Sequence, residues 1–348
     1  MRRVHRTQSI RGAGWGVPVL CTEEIVVRRI LPVLTVAALA VTLAGCAGTA
    51  EPDATSTANA DECAVSGSSS EAVTASSDFG TLPTVSFDAP LEPEVTERTL
   101  VTQGDGDPAP HGAVATIDYS FYNGRSGEVI ESTDYTDGQQ AVFVLGDQLL
   151  AGLRKTIECT PVGSRVIGVA PAADAFGDEG LSDYGIEAGD PLVFVVDLLA
   201  AETRAWGEPQ DAPDGFPTVE LDDDGRPTVT MPDGFETPKT SESAVLIQGD
   251  GRAVEETDQV YIQYQGLDAA TGEIFDETWD DGNPYSGSAS GFITGFTDAL
   301  VGQKVGSQFI VVIPPAEGYG EASDDNTNEL AGKTLVFVVD LLGAVPTV

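Results

Sequence analysis

The sequence predicts an α+β fold class in which two similar domains follow one another along the chain. Three observations carry this: a long internal repeat, strand patterning within each copy, and one helical segment per copy. The repeat runs at an offset of 143–145 residues. Pro83-Thr84-Val85-Ser86 returns as Pro227-Thr228-Val229-Thr230, and Gln103-Gly104-Asp105-Gly106 as Gln248-Gly249-Asp250-Gly251. Ile117-Asp118-Tyr119 returns as Ile262-Gln263-Tyr264, and Gly127 to Glu131 as Gly272 to Asp276. Val162-Gly163-Ser164 returns as Val305-Gly306-Ser307, and Leu192 to Leu199 recurs without change at Leu335 to Leu342. A period this long makes each copy a domain and not a solenoid turn.

Within each copy the pattern is mostly strand. Val260-Tyr261-Ile262-Gln263-Tyr264 is β-branched and aromatic. Phe309 to Ile313 and Leu335 to Val339 are unbroken apolar runs of strand length. One segment changes period: Phe292, Ile293, Phe296 and Leu300 recur at helical spacing between Gly291 and Gly302. Its partner in the first copy is Leu149, Leu150, Leu153 and Ile157.

Ahead of the repeat lies an export pattern. Arg28-Arg29 precedes an apolar run from Ile30 to Ala44 that ends in Leu43-Ala44-Gly45-Cys46. A basic start, an apolar stretch and small residues before a cleavage point make a secretory signal. The run is too short for a membrane-spanning helix, which needs about 20 apolar residues. Leu-Ala-Gly-Cys also resembles the bacterial lipobox, which implies cleavage before Cys46 and a diacylglycerol on its sulfur. The first 26 residues add a second basic patch, Trp15 and Cys21 ahead of this pattern. The expected translation start is therefore Val26 or Val27.

The expected layout is a signal peptide over 1–45 and a flexible tether over 46–77. A first domain with an N-terminal extension covers 78–201. A Pro-, Gly- and Asp-rich linker covers 202–224, and a second domain with its own extension covers 225–348. The tether is assigned on its Ala, Ser, Thr, Glu and Asp content. After Cys46 only Cys63 and Cys159 carry thiols. Outside the cell they can form a disulfide that pins the tether's end onto the first domain, with two free thiols as the alternative.

Composition excludes several functions. Seventeen Lys and Arg face 56 Asp and Glu, and the cluster Arg2, Arg3, Arg6, Arg11, Arg28 and Arg29 lies before Cys46. So negative a body is repelled by nucleic acid, and no nucleic-acid partner is expected. His5 and His111 are the only histidines. A His-based triad or zinc site has almost no material, and no metal or cofactor is expected. Asp105 and Asp107, or Asp222 to Asp224, miss the spacing of a calcium loop and read as turns.

Over roughly residues 243–346 the second copy resembles the FKBP-type peptidyl-prolyl cis-trans isomerases. Tyr264-Gln265-Gly266 stands where the family has Tyr-Thr-Gly, and Phe275-Asp276 matches its Phe-Asp. Asn283-Pro284-Tyr285 stands for Pro-Phe, and Phe292-Ile293-Thr294-Gly295-Phe296 for Val-Ile-x-Gly-Trp. Val305-Gly306, Gly318-Tyr319-Gly320 and Leu335-Val336-Phe337 complete the order. The resemblance implies a curved antiparallel sheet wrapped on one short helix in each domain. It also implies a pocket for an X-Pro peptide. Tyr264, Phe275, Asp276 and Tyr319 are then the catalytic residues, with Asp276 at the twisted amide and Tyr319 donating to a substrate carbonyl. Tyr285, Phe292, Ile293, Phe296, Leu330 and Phe337 line the pocket. Some of these, Phe337 and Ile293 above all, would be buried as core residues in any case.

The second copy departs from the family at three places. Phe296 replaces the helix Trp, acidic Asp280 and Asp281 replace the basic neighbour of the pocket Asp, and the loop Glu321 to Ala331 lacks Ile-Pro-Pro. The first copy departs further: Ile130, Glu131, Ala141, Leu153 and Phe176 stand for Phe275, Asp276, Tyr285, Phe296 and Tyr319. The expected function is prolyl isomerisation by the second domain, on proline-containing exported polypeptides. The expected location is the outer face of the cell membrane, held there by the lipid, and the expected state is a monomer. The alternative is a peptide-binding or chaperone lipoprotein without catalysis.

Overall fold

The computed structural model describes residues 63–136 and 138–347. The signal segment, the expected start and Cys46 lie outside the described residues. The first domain begins with a short helix α1 (Ser68–Glu71) and a small hairpin, β1 (Thr74–Ala75) and β2 (Val85–Ser86). Its main strands are β3 (Glu97–Thr102), β4 (Val114–Asn123), β5 (Val129–Ser132) and β6 (Ala141–Val144). Helix α2 (Ala151–Ile157), β7 (Arg165–Ala170) and β8 (Leu192–Glu202) complete it. The sheet is antiparallel in the order β3-β7-β8-β4-β5, with β6 also on β4.

The second domain repeats this plan. Strand β9 (Glu208–Pro209) and the hairpin β10 (Thr218–Leu221) and β11 (Pro227–Thr230) precede β12 (Glu242–Gln248) and β13 (Asp258–Asp268). Then come β14 (Ile274–Glu277), β15 (Tyr285–Ser288), helix α3 (Thr294–Leu300), β16 (Gln308–Ile313) and β17 (Leu335–Pro346). The strand order is β14-β13-β17-β16-β12-β9, with β15 on β13.

The two copies match rung by rung. Tyr119 faces Val196 as Tyr264 faces Val339, and Phe121 faces Phe194 as Gly266 faces Phe337. Ala141 faces Ile117 as Tyr285 faces Ile262. The bulge between Thr116 and Ile117 recurs between Tyr261 and Ile262.

Each sheet buries two faces, which explains the unbroken apolar run of β8 and β17. One face packs on the helix: Leu300, Phe309, Val311, Phe337 and Val339 form that core in the second domain. Gly152 and Gly295 occupy equivalent helix positions. A Cβ on Gly295 would stand 2.7 Å from Ile313, and one on Gly152 2.4 Å from Ala170, so each helix needs glycine to seat on its strand.

The other face is covered by the N-terminal extension, which corrects two expectations. The part of the expected tether from Cys63 to Ser77 is folded. Val73 joins Val169, Val193 and Val195 in a buried cluster, and Ser69 and Ser70 N–H groups donate to Glu97 at 2.7 and 2.9 Å. Its polar composition hid this, because hydrogen bonds and a crosslink hold it more than apolar bulk does. The expected linker over 202–224 is likewise structured: Phe216 and Val219 pack on Ile310, Val312 and Val336. Its Pro, Gly and Asp residues serve as turns of the second domain's own hairpin.

Matched polar pairs lie within the covered faces. In the first domain Arg165 and Asp197, both fully buried, form an ion pair at 2.6 Å. Arg165 also donates to Ser76 O and Thr81 O, tying the extension to the sheet. At the same rungs the second domain has Gln308 donating to Asp340 at 2.7 Å, while Ala205 N–H donates to the same carboxylate. Burial pushes the Asp340 carboxyl up to about 6, against the lowering effect of the Ala205 and Gln308 hydrogen bonds and of the Arg204 charge.

Candidate active site

Many aromatic residues of the second domain converge on the face of the sheet that packs against the helix. β13 supplies Tyr264 and Gly266, β14 supplies Phe275 and Asp276, β15 supplies Tyr285, and β17 supplies Phe337. Phe292 and Ile293 lead into α3, which carries Phe296. Phe296 is the floor: it stacks on Phe292 at 4.5 Å, meets Phe337 edge-on at 5.2 Å and Phe309 at 6.5 Å. Phe275 closes one wall against Phe337 at 5.6 Å. Tyr285 closes the other, edge-on to Tyr264 at 6.4 Å and to Phe292 at 5.6 Å. Ile293 and Leu330 pack on the same core. Tyr264, Phe275, Phe292, Ile293, Phe296, Leu330 and Phe337 thus share one cluster, with Tyr285 joined to it through its ring contacts.

The rim is polar. Tyr264 Oη donates to Asp276 Oδ2 at 2.6 Å. Burial first, and then this bond and the carboxylate's charge, raise the Tyr264 phenol above its ordinary value. It therefore stays a neutral donor, and Asp276 is held at the pocket edge. Tyr285 and Tyr319 are 45% and 38% exposed. Such exposure of aromatic side chains beside a buried floor is what an open peptide site requires. Among the described residues no group of three or more His, Cys, Asp or Glu side chains could hold a metal ion. Arg226, brought by the extension, pairs with Glu277 and Asp280 but not with Asp276.

Gly266 keeps the pocket open, a role the sequence reading did not single out. A Cβ there would stand 2.6 Å from Phe337 and 2.8 Å from Phe275. In the first domain the same rung carries Phe121. Its ring is 1% exposed, stacks on Tyr119 at 4.1 Å and meets Phe194 edge-on at 5.1 Å. Tyr119 Oη donates to Glu131 at 2.9 Å, as Tyr264 does to Asp276. The frame is retained while a side chain of the domain's own strand fills the space. The signal was present in the sequence, as Tyr119-Ser120-Phe121 set against Tyr264-Gln265-Gly266.

Residues 106–199 and 250–342 each match the family model described as FKBP-type peptidyl-prolyl cis-trans isomerase. The chain belongs to the FKBP-type peptidyl-prolyl cis-trans isomerases. It carries two FKBP domains in tandem. A probable FK506-binding protein of Corynebacterium glutamicum is 34% identical over 119 residues, spanning 34% of this chain and 98% of that protein. The FKBP-type peptidyl-prolyl cis-trans isomerase FkpA of Escherichia coli is 27% identical over 216 residues, 60% of this chain and 77% of FkpA. The crystal structure of the three FKBP domains of wheat FKBP73 covers 72% of this chain and 95% of its own, at 18% identity and a TM-score of 0.32.

Outside the pockets, the structure joins Cys63 and Cys159 in a disulfide with their Cα atoms 5.9 Å apart. The bond ties the start of the described chain to the loop after α2.

Proposed function

We propose that this isomerase works on proline-containing exported polypeptides at the outer face of the cell membrane, anchored through lipid on Cys46, and that its second domain does the catalysis. The observation that carries the division of labour is one rung of the ladder: Gly266 leaves an aromatic pocket open, and Phe121 fills its counterpart.

The chemistry asks little of the protein. An X-Pro bond resists rotation by ~18–20 kcal/mol because twisting the amide breaks its resonance. Water favours the planar, charge-separated amide, so a dry apolar site lowers the barrier by favouring the twisted form. Phe275, Phe296 and Phe337 supply the dry wall and floor. Tyr319 donates to a substrate carbonyl and fixes the peptide, while Asp276, held by Tyr264, faces the twisted amide. The first domain, with its pocket filled, keeps a non-catalytic role.

The Cys63–Cys159 bond supports the export half of the reading, since structural disulfides persist in oxidising compartments. The lipobox supports the anchor, as an acyl anchor of two chains holds a protein firmly at a membrane. Proline-limited refolding with the full chain tests the enzymatic half, which fails if the refolding rate is unchanged across a panel of substrates. Cell fractionation tests the anchor: Cys46→Ala should move the folded protein from the membrane to the soluble fraction, and retention on the membrane counts against it.

A further inference from the structure

Tyr319 has an unusual setting for a residue that must aim a hydroxyl. It is 38% exposed and follows the one-turn helix Pro315–Glu317, so neighbouring apolar bulk does little to hold it. The loop beyond it is acidic and polar, without a proline to stiffen it from Glu321 to Ala331. From Glu321 to Glu329 every residue is exposed except Asn326, which turns inward. Its Nδ2 donates to Tyr319 O at 2.9 Å and to Glu321 O at 3.1 Å. Its Oδ1 accepts from Asn328 N–H at 3.3 Å, and Asn328 Oδ1 accepts from Leu330 N–H at 2.8 Å. Both amide hydrogens and one acceptor site of Asn326 are thus used. Gly320 sits at φ +85°, a conformation that favours glycine, and a Cβ there would stand 3.1 Å from Asn326 Nδ2, a tight contact. Gly332 N–H donates to Gly320 O at 2.8 Å and closes the loop's base.

We propose that Asn326 is a positioning residue of the isomerase site, holding the Tyr319 backbone so that its hydroxyl stands at the rim, and through Asn328 coupling it to Leu330 in the pocket wall. Asn326 does not itself line the pocket. Two N–H donors on carbonyls two residues apart do here what a rigid apolar loop would otherwise do. The proposal rests on the reading that the second pocket catalyses.

The test is a double-mutant cycle in the full chain, with kcat/KM on X-Pro peptides and thermal unfolding measured side by side. Asn326→Ala should lower kcat/KM about three- to fivefold, comparable to Tyr319→Phe, with the unfolding midpoint of the domain unchanged because the loop is exposed. In the Tyr319→Phe background, Asn326→Ala should change kcat/KM by less than twofold, because the hydroxyl it positions is already gone. Asn326→Asp keeps the shape but loses the donors, and should fall as far as Asn326→Ala. Losses that multiply in the double variant, or an Asn326→Asp variant with full activity, would overturn the proposal. An inactive wild-type chain would instead remove the catalytic reading on which it rests.

Discussion

The two domains share one ladder plan, and two of the rungs at which they differ offer the most direct comparison. On the helix face Phe121 stands where the second domain has Gly266; on the covered face Arg165–Asp197 stands where it has Gln308–Asp340. Neither exchange disturbs the strand register or the bulge. The lesson concerns how a duplicated domain changes its work. Backbone hydrogen bonds hold the frame, so a single side chain can close a pocket or recharge a buried node without altering the fold. The pairing of Tyr119 with Glu131 is the same in kind as that of Tyr264 with Asp276.

The largest expected effect lies at the ion pair. Arg165→Ala leaves Asp197 buried without its cation and frees Ser76 O and Thr81 O, at a cost of about 3–5 kcal/mol to the first domain. Denaturant unfolding reads the loss, and protease cleavage near 76–81 should appear with it. An apolar double replacement, Arg165→Met with Asp197→Leu, should recover part of the stability. A loss below about 1 kcal/mol in the single variant would mean that the two nodes are interchangeable after all.

The second expectation concerns pH. Asp340 binds its proton more tightly in the fold, with a carboxyl near 6, than in the unfolded chain, at about 4. Between those values the native state holds more protons, so stability is full below about pH 4 and falls as pH rises through 6. The fall is on the order of 2–3 kcal/mol. Asp340→Asn should flatten this part of the second domain's stability profile between pH 4 and 7. Parallel wild-type and variant profiles would sink the assignment.

Gly266→Phe transplants the first domain's plug into the second. The peptide then loses its apolar seat, a contact of roughly 2–3 kcal/mol, and kcat/KM should fall at least about thirtyfold. Crowding against Phe275 and Phe337 also strains the fold by ~1–3 kcal/mol, so unfolding must be followed alongside rate. Activity that survives in a folded variant would move catalysis out of this pocket. Tyr319→Phe is the smallest change: one hydrogen bond, about 1 kcal/mol or fivefold in kcat/KM, with stability untouched.

The aromatic residues that cluster on the helix face were legible in the sequence because they lie in short motifs, from Tyr264-Gln265-Gly266 to Leu335-Val336-Phe337. The strands were legible from pattern, and the helix in part: Phe296 and Leu300 lie on α3, while Phe292 and Ile293, read at the same spacing, precede it in extended backbone. The extensions were read as tether and linker because Ser68 to Glu71 and Pro213 to Gly215 have loop-like composition. What holds them is distant in the chain: Glu97 for the first, the outer face of β16 and β17 for the second.

The sequence by itself determined the duplication, the strand-rich architecture and the helix that the two copies share. Each is written within a dozen neighbouring residues or in the plain recurrence of such a window. Only the tertiary structure decided that Phe121 packs between Tyr119 and Phe194, that Asp340 is buried with Gln308 as its hydrogen-bond partner, and that Asn326 bonds to the Tyr319 and Glu321 carbonyls. The physical reason is that cavity volume, dielectric surroundings and loop closure are properties of several strands at once. The rings of Phe121 and Phe194 meet across 73 positions of chain, and Gln308 meets Asp340 across 32. Local pattern names the side chains; register and packing settle which of them share a space and what that space will admit.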